Sequence, residues 1–163
     1  MLPEERKTQG LVLGMTIEHN MTLASHKQFS KGSIFNKRNE KSAVAHMMKS
    51  LGVKATGSEQ IVGTLSGGNQ QKVVLAKWLI SKCQILVISE PTRGIDIGAK
   101  EEIYQLIKDF VTQGGAVIVI SSEIPEASMC DRVFVISKGT FVGEVPFEDI
   151  DIHGDEILKF CCR

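Results

Sequence analysis

Leu65-Ser66-Gly67-Gly68-Asn69-Gln70-Gln71-Lys72 combines the residue types of an anion cradle. Adjacent glycines let backbone approach a ligand closely. Ser66 adds a hydroxyl. A helix running from about Asn69 to Ile80 would present its unpaired N–H groups and positive dipole end to a phosphate. Taken alone, the octet reads equally well as a capped helix start whose glycines only turn the chain. A second chemical position follows. Ile85-Leu86-Val87-Ile88 is an apolar, β-branched run that ends in Ser89-Glu90-Pro91. A carboxylate directly after a buried strand is aimed at the crevice beyond the strand ends. Glu90 could orient and polarise a water for attack on a phosphate. Ser121-Ser122-Glu123 closes the next apolar run in the same way.

The elements that must position these residues are legible as patterns. Ile85–Ile88, Ala116–Ile120 and Val133–Ile136 are apolar on both faces, as parallel strands buried between helices are. Between the first two, residues 98–111 place Ile103, Leu106, Ile107 and Phe110 on one helix face, which makes a right-handed strand–helix–strand unit. A shorter helix is expected around Pro125–Met129, a turn at Lys138-Gly139 into a strand over 140–145, and a last helix over 155–160. Upstream, Thr16 caps a short helix, residues 26–36 form a surface loop, and residues 39–51 form a helix with Val44, Met47, Met48 and Leu51 on one face, stopped by Gly52. The fold class is α/β. Residues 1–82 form a helical front part and residues 83–163 the α/β part.

Composition narrows the function. The 163 residues are 42% apolar and 23% charged, a globular balance that excludes a disordered or low-complexity chain. Nineteen Lys+Arg offset nineteen Asp+Glu, so no broad electrostatic affinity for nucleic acid is expected. No apolar run approaches the roughly 20 residues that span a bilayer, and no signal-peptide core follows Met1, so a cytoplasmic chain is expected. Cys83 and Cys130 are expected in or near the core. Cys161 and Cys162 lack metal-ligand spacing, and His19, His26, His46 and His153 form no triad or metal pattern.

The octet resembles the signature motif of ABC-type ATPases, and it has company. Ile85-Leu86-Val87-Ile88-Ser89-Glu90-Pro91-Thr92 resembles their Walker B strand, and Arg93-Gly94-Ile95-Asp96 their D-loop. Val119-Ile120-Ser121-Ser122-Glu123 falls where the switch segment belongs. Asp131-Arg132-Val133 with Lys138-Gly139 resembles the usual ending. Pro3-Glu4-Glu5-Arg6-Lys7 resembles the Q-loop region, with Glu4 where glutamine is usual. The wording of the signature and of Glu90–Lys100 is most similar to the second cassette of the double-cassette ATPases of ribose, galactose and xylose importers.

The resemblance implies a partial P-loop NTPase fold with an α-helical signature subdomain. It implies an ATP-binding component that couples ATP binding and hydrolysis, with Mg²⁺, to sugar import. Two cassettes would close head to tail, so that Ser66, Gly67, Gly68 and Gln70 touch the γ-phosphate held by a Walker A-bearing cassette in trans. Glu4, Ser89 and Asp96 would line the nucleotide or the cassette interface. Glu90 and Ser122 would be the catalytic positions. Asp96 has the alternative role of capping the helix ahead of Gly98, Arg93 that of a surface partner for an acidic residue, and Trp78 is expected to pack inside the helical part. Transmembrane permease subunits would be partners, and the chain would sit peripherally on the inner (plasma) membrane.

Three departures qualify this. No Gly-x-x-x-x-Gly-Lys-Ser/Thr occurs, so the Walker A loop is absent from these residues. Ser89 stands at the Walker B aspartate, and a neutral hydroxyl is a weaker partner for a hard cation. Ser122 stands where the switch histidine is usual. The expectation is a partial cassette, a fragment or truncated reading frame that hydrolyses no ATP alone. Its uncovered strands would self-associate. The competing reading is a non-catalytic interaction module that contacts an intact cassette or a membrane subunit.

Overall fold

The computed structural model describes residues 1–31, 34–146 and Ile157. Helices are α1 (Ile17–Thr22), α2 (Lys37–Ser50), α3 (Gly67–Ile80), α4 (Ile97–Thr112) and α5 (Ile124–Ala127). Strands are β1 (Ser30–Lys31), β2 (Ile34–Phe35), β3 (Ile85–Ser89), β4 (Ala116–Ile120), β5 (Arg132–Ser137) and β6 (Thr140–Pro146). Two compact units, Met1–Ile118 and Val119–Arg163, divide within β4. The helix expected over 155–160 lies, Ile157 aside, outside the described residues, as do Cys161 and Cys162.

In the first unit α3 is the central helix. Val73, Val74, Leu75 and Ala76 are consecutive and all buried, because α1, α2, α4 and the single π-turn Arg6–Gly10 pack around them. A helix apolar all round must be enclosed all round. Two lysines cross this core with their stems buried. Lys77 Nζ donates to Gly10 O, and burial pushes its pKa down. Lys72 Nζ donates to Gly52 O at 3.0 Å and pairs with Glu102 at 2.6 Å. Gly52 takes φ +57° just past the end of α2, the left-handed stop that favours glycine. The hydrogen bond and charge of Lys72 hold the Glu102 carboxyl below its ordinary range. That pair therefore contributes at neutral pH and is lost as pH falls through and below the carboxylate range. Glu102 is half exposed, so solvent screening keeps the contribution small.

Upstream segments are tied down by side chains. Thr16 Oγ1 accepts from His19 N at 3.2 Å, the expected cap of α1. Buried Asn20 accepts from Val12 N at 2.8 Å and donates to Val12 O and Thr16 O at 3.0 Å each. One amide thus fixes the apolar stretch 11–16. The segment expected as a loop over 26–36 instead begins with a 3₁₀ turn, His26–Phe29, followed by the β1–β2 ladder.

β3 lies between two neighbours. Leu2 bridges it in parallel at Ile88, with Leu2 N donating to Val87 O at 2.7 Å and Ser89 N to Leu2 O at 3.0 Å. β4 pairs on the other edge, reached through α4. The expectation of burial on both faces is corrected here. Leu86 and Ile88 are buried, but Ile85 is 63% exposed, and on β4 Ile118 and Ile120 are 54% and 51% exposed. The apolar runs are those of two-sided strands, and among the described residues only one side is covered.

In the second unit β5 and β6 form an antiparallel hairpin through Lys138-Gly139, both at positive φ, as a two-residue turn of this hand requires. The register shifts between Val135 and Ile136. Val135, Val145 and Ile157 make a small core with Ala127 and Val133 against it. Phe134 and Phe141 lie on the exposed side with ring centroids 6.0 Å apart.

Candidate functional site

The site begins at the N-terminus of α3. The helix starts at Gly67, two residues earlier than the sequence pattern predicts, because Ser66 adopts the extended N-cap conformation (φ −62°, ψ 159°) and accepts the first helical bond from Gln70 N at 2.9 Å. The Ser66 side chain makes no capping hydrogen bond. Its Oγ accepts from Asn69 Nδ2 at 2.9 Å, and Asn69 Oδ1 in turn accepts from Lys54 N at 2.7 Å. The Ser66 hydroxyl is thus engaged by the Asn69 side chain of the same first turn and not by a backbone N–H. The first-turn N–H groups are not capped by Ser66 and keep their affinity for an anion.

Both glycines are dictated by packing. A Cβ on Gly67 would lie 2.8 Å from Arg6 Nη2 and 3.0 Å from Gly94 O. A Cβ on Gly68 would lie 2.7 Å from Ala99 Cβ at the start of α4. The pair admits two neighbours, the 93–94 turn and α4, to the helix start. Gln70 faces inward: it is 3% exposed, its Nε2 donates to Val62 O at 3.3 Å, and its Oε1 is buried without a partner.

Ser89 ends β3, and Glu90 follows with φ +47°. A non-glycine residue in the left-handed region carries strain of order 1 kcal/mol, and such strain persists only where surrounding structure imposes it. Here a tight turn does so: Arg93 N donates to Glu90 O and Ile95 N to Thr92 O, both at 3.2 Å. Gly94 takes φ +65°. Asp96 caps α4, with its carboxylate accepting from Ala99 N at 3.0 Å. Arg93 pairs with Glu4, the acidic surface partner anticipated for it.

A cavity of about 320 Å³ opens at this junction, lined by Arg6, Lys7, Leu65, Gly67, Gln70 and Gly94. Two cationic side chains and a helix N-terminus suit it to an anion. The residues fit a phosphate. They do not fit a self-contained Mg²⁺ site: Ser89 offers a hydroxyl, and among the described residues no three His, Cys, Asp or Glu group as metal ligands.

The structure thus brings Glu4 and Gly67 together through Arg6, Arg93 and Gly94. It sets Gly68 and Asp96 on the α3–α4 contact, and places Ser89 and Glu90 side by side. Ser122 lies exposed in the second unit, next to Ser121, whose Oγ accepts from Glu123 N at 2.9 Å. Arg6 was not legible as a site residue. It reaches partners 87 and 88 positions away, and no local spacing reports that. Trp78 is partly buried, with Nε1 buried and unpartnered. Cys83 and Cys130 are both partly buried, and burial raises the Cys130 thiol pKa, which keeps it protonated and unreactive. No helix among the described residues is long and apolar enough to cross a membrane.

The chain is 50% identical over 143 residues to a ribose import ATP-binding protein of Bacillus cereus, covering 87% of this chain and 29% of that protein. It is 47% identical over 146 residues to a ribose import ATP-binding protein of Streptomyces avermitilis, covering 89% of this chain and 28% of that one. The chain therefore spans less than a third of the length of these relatives. Among solved structures it superposes on a dimeric ATP-binding cassette in a post-hydrolysis state bound to ADP and Pi, with TM-score 0.73 over 86% of this chain and 60% of that one. At 22% identity that likeness shows the fold, the ATP-binding cassette fold with its parallel sheet and helices. The model of the family described as "ABC transporter" matches residues 3–93, more than half of the sequence, and the chain belongs to that family.

Proposed function

We infer that the chain is part of the ATP-binding component of a carbohydrate importer, namely the signature, Walker B and D-loop portion of its second cassette. The observation that carries this reading is the α3 N-terminus, where the Ser66 side chain leaves the first-turn donors uncapped and accepts from Asn69 instead. A γ-phosphate held by the Walker A loop of another cassette is the ligand that suits it. Within this reading residues 1–82 supply the signature surface. Residues 83–163 supply Glu90, the carboxylate that would orient water, and Ser122 at the switch position. Mg²⁺ would be held chiefly by groups outside these residues, because Ser89 is a poor ligand for it. Permease subunits would dock on the assembly from the membrane side, and the chain would lie peripherally on the cytoplasmic face of the membrane.

The test is nucleotide-dependent assembly. The chain is mixed with an intact sugar-importer cassette and followed by sedimentation velocity. The reading predicts a 1:1 complex with a non-hydrolysed ATP analogue and none with ADP. Equal association in both nucleotides would favour the alternative of a constitutive interaction module.

The reading also carries an expectation about the chain alone. β4 pairs with β3 alone among the described residues, and Ile118 and Ile120 face solvent. Uncovered strands of this composition recruit a second chain. Sedimentation should show concentration-dependent self-association that Ile118→Lys weakens at least tenfold. A clean monomer at high concentration would contradict it.

A further inference from the structure

Arg6 joins its own segment to two others, the 93–94 turn and the start of α3. Its Nη1 donates to Arg93 O at 2.7 Å and its Nη2 to Gly94 O at 3.1 Å. The same Nη2 stands 2.8 Å from the position a Cβ on Gly67 would take. Arg6 itself opens the π-turn that packs on α3. Its Nε is buried without a partner. An unpaired buried donor is costly, so the guanidinium is placed to serve the two carbonyls at the expense of its own third nitrogen. The nearby Glu4–Arg93 pair joins the same segment to the same turn, but both side chains are about half exposed and such pairs contribute little.

We propose that Arg6 is a positioning residue that holds the 93–94 turn against the first turn of α3, so that the signature helix start, the D-loop and the segment 3–10 move as one piece. A guanidinium suits this role. It is planar, permanently charged, and its fork fixes the separation of two acceptors, whereas an ammonium is a single point charge. Gly67 and Gly94 are then explained together. Gly67 clears the space the guanidinium occupies, and Gly94 supplies both the left-handed turn and an accepting carbonyl. That the linked piece matters to turnover rests on the proposed ATP-dependent function. That Arg6 links the segments does not.

The test is amide hydrogen exchange on the whole chain without nucleotide, so it reads the link even if no cassette partner binds. Arg6→Ala should speed exchange at Arg93, Ile95 and Gln70 about tenfold or more, and leave Ala116, bonded to Gln84 O, unchanged. Arg6→Lys should recover part of the protection. Gly67→Ala pushes the guanidinium away from the other side and should give the same local loss. The double variant Arg6→Ala with Gly67→Ala should be no worse at Arg93 and Ile95 than Arg6→Ala alone, since both break one link. Faster exchange spread evenly over α1–α3, additive losses in the double variant, or unchanged exchange at Arg93 and Ile95 would each overturn the proposal. Should Arg6→Ala fail to fold, Arg6→Lys and Gly67→Ala decide the matter by the same amides.

Discussion

Gly68→Val will lower the thermal midpoint by roughly 10 °C. The reason is spatial. A Cβ at Gly68 would sit 2.7 Å from Ala99 Cβ, and an alanine methyl cannot rotate out of the way as the tip of a long side chain can. Two extra methyls widen the conflict, so α4 must move off α3. Overpacking of this kind costs about 3 kcal/mol, and each kcal/mol moves the midpoint of a domain this size by about 3 °C. Gly57→Ala is the matched control: a Cβ there meets nothing within 4 Å, and the midpoint should hold or rise slightly. Calorimetric melting of both variants checks the pair. An unchanged midpoint for Gly68→Val would mean that the glycine serves the ligand alone and that the α3–α4 contact is looser than it stands here.

Ser66→Arg will cut ATP turnover in a mixture of this chain and an intact sugar-importer cassette about 100-fold. The substitution removes the exposed hydroxyl and fills the approach to the uncapped N–H groups with a long side chain. Losing one preorganised donor to a developing phosphate charge typically costs 10²–10³ in rate. The α3 fold should survive, because Ser66 caps α3 through backbone alone. Near-normal melting with lost turnover is therefore the expected signature. The chain by itself should show only background hydrolysis. Turnover that persisted in the chain carrying Glu90→Gln would move the chemistry away from the end of β3.

Much of this site is legible in the sequence. The octet at 65–72 and the strand just ahead of Glu90 are legible because short-range patterns encode them: glycines, an apolar strand, a carboxylate directly after it. The βαβ unit followed from periodicity, and the boundaries of α4 and β4 moved by one residue or not at all. What was not readable came from contacts distant in sequence. Periodicity cannot say that Arg6 reaches residues 93 and 94, or that Gly68 faces Ala99, because neither pairing leaves a local trace. The exposed side of β4 was hidden for the same reason. An apolar run reports what a strand is built to be covered by, not what covers it. The one-residue strain at Glu90 is likewise invisible in composition, since glutamate gives no sign of a left-handed turn.

The most direct test of the account is isothermal calorimetry of Mg²⁺-ATP binding to the 163-residue chain, with Ser66→Arg as the paired variant. The account predicts no measurable binding to either, because in the proposed role the α3 cradle would touch only a phosphate that another cassette's Walker A loop already holds. Binding to the chain that Ser66→Arg abolishes would contradict it, showing that the cradle captures nucleotide unaided.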